Sequence, residues 1–130
     1  MDIEIFALCD HAQDFGGKLI IIGTFDTLWA AKFPTMHPAC SIAARMRFPR
    51  SEAGSHALKI LIVDEDGREI VPSINGEVMV RTPPVGDSVP VNFVITIGQL
   101  AFQKAGRYSI DFMVDGNHQR SLPLQVNKNS

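Results

Sequence analysis

The sequence predicts an all-β protein: a single antiparallel β-sandwich of about eight strands, immunoglobulin-like in general architecture. Three observations lead there. First, Tyr108, Ile110, Phe112 and Val114 alternate with Ser109, Asp111, Met113 and Asp115, the period-2 pattern of a half-buried strand. Asp115-Gly116-Asn117 then supplies a tight hairpin turn, and Leu122, Leu124 and Val126 resume the alternation. Second, turn-forming residues recur about every 8–12 residues along the rest of the chain. Third, no segment places apolar residues at i, i+3, i+4 and i+7 over the length of a helix.

The elements follow in order. Ile3 to Cys9 reads as a strand with Ile3, Ile5, Ala7 and Cys9 on one face, and Asp10 to Gly17 breaks the pattern. Lys18 to Phe25 is apolar on both faces, as in a strand packed on both sides, with Gly23 marking a bulge or close backbone approach. Alternation continues through Thr27, Trp29, Ala31 and Phe33 until Pro34, and Thr35 to Pro38 reads as a loop. Ile42, Ala44, Met46 and Phe48 alternate with Ser41, Ala43, Arg45 and Arg47, a strand with a charged outer face. Pro49 to Gly54 is a polar connection. His56 to Val63 is the next strand, turned by Asp64-Glu65-Asp66-Gly67 into Glu69-Ile70-Val71. Glu77 to Val80 is a short strand, and Thr82 to Asp87 a loop. Val89 to Ile97 alternates cleanly, then slips phase after Gly98, which predicts a bulge or corner. Pro123 cannot donate to a ladder, so the last strand lies at an edge or turns that position outward. Tyr108, just after the Gly106-Arg107 turn, suits either a tyrosine corner or a plain core position.

Composition bounds the class. The 130 residues make one domain, residues 1–130, able to bury roughly two thirds of its unfolded surface. With 45% hydrophobic and 20% charged residues it is globular rather than disordered. A net charge of −2 provides no field to recruit nucleic acid or an anionic membrane, so neither is an expected partner. The start Met1-Asp2-Ile3-Glu4 lacks the basic then apolar run of a signal peptide, and Leu19 to Ile22 is too short to span a bilayer. A cytoplasmic protein is the expectation. In that compartment Cys9 and Cys40 are buried thiols rather than a disulfide.

Candidate sites are sparse. Cys9, Asp10, His11 and Asp14, with Asp26 or His37 folded beside them, contain the donor types for Zn²⁺, yet their spacing matches no ligand frame. Asp10 and Asp14 are also ordinary turn residues. Ser41, Ser55, Ser109 and Ser121 sit in no Gly-x-Ser-x-Gly elbow, and no Cys–His pair is close in sequence. Gly16-Gly17-Lys18 lacks the first glycine of a phosphate loop and has Leu19 where the motif needs Ser or Thr. Arg45, Arg47 and Arg50 form a basic stripe without interleaved aromatics, which reads as a solvated face with carboxylate neighbours. Phe25, Trp29 and Phe33 fall on one side of their predicted strand, with Asp26 and Lys32 on the other. That places the strand near a sheet edge and makes the three aromatics an interface candidate, against the commoner fate of filling the core.

The chain resembles a family of small, mainly bacterial proteins known only as a domain of unknown function. The resemblance is carried by Ala7-Leu8-Cys9-Asp10, Gly16-Gly17-Lys18-Leu19, Gly23-Thr24-Phe25-Asp26, and Phe33-Pro34 with His37-Pro38. Further on it runs through Glu52-Ala53-Gly54 with His56, Gly106-Arg107-Tyr108, Val114-Asp115-Gly116 and Leu122-Pro123-Leu124. It implies a compact β-sandwich and brings no activity or catalytic residues. An aromatic usually stands where this chain has His11, which weakens a ligand role there.

Two classes of function follow. The first is a non-enzymatic interaction or structural module without cofactor, binding a protein partner or associating with itself through an edge strand or the Trp29 face as a homodimer. The second is a metal-dependent enzyme or hydrolase using the Asp10–Asp14 loop; stoichiometric metal in the purified protein would favour it.

Overall fold

The computed structural model describes residues 1–129. Its strands are β1 (Asp2–Phe15), β2 (Lys18–Thr24), β3 (Thr27–Ala30), β4 (Thr35–Pro49), β5 (Gly54–Val63), β6 (Ile74–Val80), β7 (Ser88–Phe102), β8 (Gly106–Val114) and β9 (Asn117–Lys128). They form a curled four-stranded sheet, β2-β1-β4-β7, and a five-stranded sheet, β3-β9-β8-β5-β6. All pairs are antiparallel except β3–β9, which is parallel. Nine strands thus replace the expected eight, and the antiparallel rule has one exception.

Alternation builds the core. Tyr108, Ile110, Phe112 and Val114 of β8 are all buried, facing Ile42, Ala44, Met46 and Phe48 of β4. Phe6 stacks on Phe112 at 5.1 Å between ring centroids, and Phe102 meets Tyr108 edge-on at 4.9 Å. The Tyr108 hydroxyl donates to the Lys104 carbonyl at 2.6 Å, so this tyrosine makes the corner bond as well as filling the core.

The N-terminal third departs most from expectation. A bulge between Ile3 and Ile5 shifts the phase of β1, so Phe6 and Leu8 face the main core instead of Ile5 and Ala7. Asp10 to Phe15 is strand, not a break. Beyond Cys9, β1 leaves β4 and pairs only with β2. The β1–β2 hairpin then folds across β4 toward β7, where the Asn92 amide donates to Asp14 Oδ1 (2.8 Å) and to the Gly17 carbonyl (3.1 Å). Ala12, Leu19 and Ile21 of this flap cover Cys9, Ala43 and Val94 in a second small cluster. Gly23 (φ 71°) is a close approach: a Cβ there would stand 2.7 Å from Asp10 Oδ2. Far from being packed on both faces, β2 is an edge strand with Ile20 and Ile22 exposed.

Other corrections are smaller. Thr35 to Pro38 opens β4 rather than forming a loop, because β7 pairs with it as far as Phe102. Glu69 makes a single bridge to Val63, and no strand forms through Val71. The slip after Gly98 falls at Gln99, which is left-handed (φ 58°). Pro123 lies on a strand flanked by two others, but β3 covers only Gln125 to Lys128 of β9. Gln125 N–H points toward β3, donating to the Asp26 carbonyl at 2.8 Å, so Pro123 two residues earlier turns its N–H-less nitrogen to the uncovered side.

The two cysteines are free and buried. Cys9 lies opposite Ser41 across the β1–β4 ladder, so Cys40, one residue away, points to the other face. Cys9 sits under the flap and Cys40 in the main core, where burial pushes its thiol up to about 11. Cβ atoms on opposite faces do not meet the geometry of a disulfide.

Two outcomes are expected. Asp115 (φ 52°) and Gly116 (φ 80°) form the two-residue turn of β8–β9, and open space surrounds Gly116. Gly116→Val should therefore lose about 1 kcal/mol or more from backbone strain alone; an unchanged melting temperature would contradict the turn. Thiol labelling with intact-mass readout should find two reactive groups on unfolding without reductant, and slow labelling of the folded protein.

Candidate functional site

The proposed interface aromatics separate. β3 is only four residues long, because the chain bends at Asp26 and again from Ala31 to Pro34. Phe25 and Phe33 turn inward against the main core, and Phe25 packs on His37 at 5.5 Å. Trp29 turns out and is 64% exposed on the edge of the five-stranded sheet. Beside it Met36 of β4 is 55% exposed, and between them a recess of about 60 Å³ reaches Phe102 and His37. The Nε2 atom of His37 is buried there without a hydrogen-bond partner. One aromatic of the expected three is thus a surface residue, in company that spacing along one strand could not reveal.

The suggested metal donors do not converge. Asp10 lies over Gly23, exposed His11 pairs with Ile22, and Asp14 accepts from Asn92. Asp26 accepts from the Thr27 hydroxyl at 2.8 Å, and His37 packs tilted against Phe25. Among the described residues no three His, Cys, Asp or Glu side chains gather in a way that could hold a metal ion.

Two histidine networks that the sequence pattern missed are present. His118 Nε2 lies 2.7 Å from Ser121 Oγ, and the Ser121 hydroxyl donates to Asp111 Oδ1 at 2.6 Å. The order is wrong for nucleophilic catalysis. Asp111 accepts the hydrogen bond of the serine hydroxyl, so His118 donates to Ser121 instead of accepting from it. The second network ties the β8–β9 turn to β5. His56 Nδ1 is 2.6 Å from Asp115 Oδ2 and its Nε2 is 2.6 Å from the Glu52 carbonyl. Both partners are acceptors, so a doubly protonated ring satisfies them together. Asp115 Oδ1 also accepts from Ala57 N–H at 2.9 Å, and the imidazole packs on Phe48 at 4.6 Å. The bond to Asp115, and then that to Glu52, hold His56 above the usual histidine range against the opposing effect of burial. In return His56 holds the Asp115 carboxyl low. With both nitrogens engaged, the ring is a clamp on the turn and not a general base.

The arginine stripe is neutralised in part. Arg45 Nε and Arg47 Nε donate to Glu4 at 3.1 and 2.8 Å, and Arg50 donates to the Gly86 carbonyl. Arg47 above all holds the Glu4 carboxyl below its ordinary range. A shallow cleft of about 430 Å³ opens where the chain crosses between sheets, walled by Phe6, Leu8, Thr24, Leu122 and Pro123. Asp26 is the one carboxylate on its wall.

The sequence profile of a family of unknown function, DUF6941, matches residues 4–127. The chain belongs to this family. None of the curated proteins matches it. DUF6941 membership assigns no catalytic or ligand role to any residue, so a functional reading rests on the geometry above.

The clamp predicts a pH dependence. A raised histidine pKa contributes stability fully present below its unfolded value of about 6.5 and lost as pH rises through the folded one. A depressed aspartate contributes stability present above about 3.9 and lost as pH falls through the folded value. The stability difference between wild type and His56→Gln should thus peak at about pH 5–6 and shrink by about pH 8–9. Urea unfolding of both proteins across that range is the measurement; a difference that does not vary with pH would mean the ring is not charged.

Proposed function

We propose that the chain is a non-enzymatic protein-interaction or structural module of immunoglobulin-like architecture, with Trp29 at the centre of its contact surface. The carrying observation is Trp29 itself. A large aromatic, 64% exposed on an edge strand beside an exposed methionine and a recess, is the amphipathic anchor that interfaces favour. The strand order supports the architectural reading. β1 pairs antiparallel with β4, and β3 then crosses to pair parallel with the final strand, so one N-terminal stretch serves both sheets. The Tyr108 to Lys104 bond is the corner contact of such sandwiches. Buried thiols held on opposite faces suit a reducing compartment such as the cytoplasm. Architecture does not choose a partner, so the surface carries the reading.

Trp29→Ala separates a contact residue from a core one. As an exposed residue it should change stability by no more than about 0.5–1 kcal/mol, instead of the ~3–5 kcal/mol of a buried tryptophan. Affinity capture from the native host with wild type and Trp29→Ala side by side should lose a specific protein only in the variant. Identical captures from the two would overturn the proposed surface.

A further inference from the structure

We infer that the β1–β2 hairpin is a lid, hinged at Asp10 and Gly23 and latched near its tip by Asn92, which opens as a unit while the two sheets stay closed. Its opening uncovers Cys9, Ala43 and Val94, a strip that the closed molecule keeps beneath the hairpin. The lid is independent of the Trp29 surface, and three features build it. The first is a hinge. Beyond Cys9, β1 has no ladder with β4, so the hairpin continues the sheet at its base only. The β1–β2 register pairs Cys9 with Thr24 and His11 with Ile22, but not Asp10 with Gly23. At that gap Gly23 is left-handed (φ 71°), and a Cβ on it would stand 2.7 Å from Asp10 Oδ2. A glycine without a partner across the ladder absorbs a change of φ and ψ at little cost. Just outside the hinge, the bond from Phe25 N–H to the Leu8 carbonyl (3.2 Å) keeps the base in place.

The second feature is a light underside. The hairpin lays Ala12, Leu19 and Ile21 on the sheet; Ala12 is buried and the other two are only partly so. Lifting them exposes far less apolar surface than parting the main core, so it needs less free energy than global unfolding. The third is a latch made by a single amide. Asn92 Nδ2 donates to Asp14 Oδ1 at 2.8 Å and to the Gly17 carbonyl at 3.1 Å, so both of its protons hold the tip. Asn92 Oδ1 accepts from Arg45 Nη1 at 3.1 Å, which sets the amide with its nitrogen toward the hairpin. Arg45 Nε is held in turn by Glu4 at 3.1 Å. Glu4, Arg45 and Asn92, one from each of three adjacent strands, thus form a chain of bonds across the sheet that ends on the lid. Losing the two bonds of one residue frees the tip and leaves the main core untouched.

Cys9 and Cys40 report two kinds of opening in one molecule, because Cys9 lies under the lid and Cys40 in the main core. The whole native protein is treated with N-ethylmaleimide in a series of low urea concentrations, and each cysteine is followed by peptide mass mapping. Cys9 should react at least about ten-fold faster than Cys40, at a rate nearly independent of urea. The Cys40 rate should climb with urea, since only global unfolding exposes much surface. Asn92→Ala should speed Cys9 about ten-fold through the loss of two ordinary hydrogen bonds, with Cys40 and the circular dichroism spectrum unchanged. Hydrogen exchange reads the same lid without a substitution: amides paired between β1 and β2 beyond Cys9 should exchange before those of β8. Equal labelling rates with the same urea dependence, a folded Asn92→Ala with an unchanged Cys9 rate, or hairpin amides that exchange together with β8 would each overturn the inference.

Discussion

Two backbone hydrogen bonds on adjacent residues join the sheets of this protein. Phe25 N–H donates to the Leu8 carbonyl in the first sheet, and the Asp26 carbonyl accepts from Gln125 N–H in the second. Between them the chain passes from one layer to the other, and much of the molecule's surface is a consequence. Below the crossing β9 has β8 as its one neighbour, and Pro123 turns to the open side without leaving a donor unsatisfied. Above it β3 runs parallel to β9 for four residues, long enough to present Trp29 and too short to align it with Phe25 and Phe33. Phe25, held at the crossing, turns inward beside His37, so the aromatic set divides between core and surface at that point.

What the sequence made legible is whatever depends on alternation within one strand. β4, β5, β7, β8 and β9 were readable because each has one face toward the common core, and period 2 records that directly. Where a strand's environment is set by distant elements, the pattern misled. Lys18 to Thr24 looks like an interior strand because Leu19 and Ile21 face the flap cluster while Ile20 and Ile22 are apolar in solvent. Asp10 to Phe15 looks like a loop because polar residues stand on both its faces and only Ala12 among its side chains is buried. Reading Phe25 to Phe33 as a single strand assumed a continuity that the bends at Asp26 and after Ala30 remove. The His56–Asp115 clamp joins residues 59 apart in sequence, beyond the reach of any local pattern.

The clamp shows how a hairpin turn is held from outside itself. The left-handed Asp115-Gly116 pair is set locally by its residues, yet Asp115 also reaches Ala57 N–H and His56, while its own N–H donates to the Ala57 carbonyl. The turn is therefore tied to the start of β5, and through His56 to the Glu52 carbonyl in the short helical turn after β4. One carboxylate thus links the β8–β9 turn to the start of β5 and the β4–β5 connection. Its effect is geometric, because both nitrogens of His56 and both oxygens of Asp115 are engaged in holding the turn.

Stability is unevenly distributed, and this bears on where the molecule can make new contacts. The main core joins both sheets through large side chains such as Phe48, Phe102 and Phe112. The flap rests instead on Cys9, Ala12 and Ala43, with Leu19, Ile21 and Val94 only partly buried, and on the bonds from Asn92. Small side chains bury little apolar area, so each contributes a fraction of what a phenylalanine does. Local opening should then begin at the β1–β2 hairpin while the sandwich stays closed. A hairpin so lightly held leaves Ile20 and Ile22 in water because its own inner face is already taken. Covering those side chains requires a surface from outside the fold.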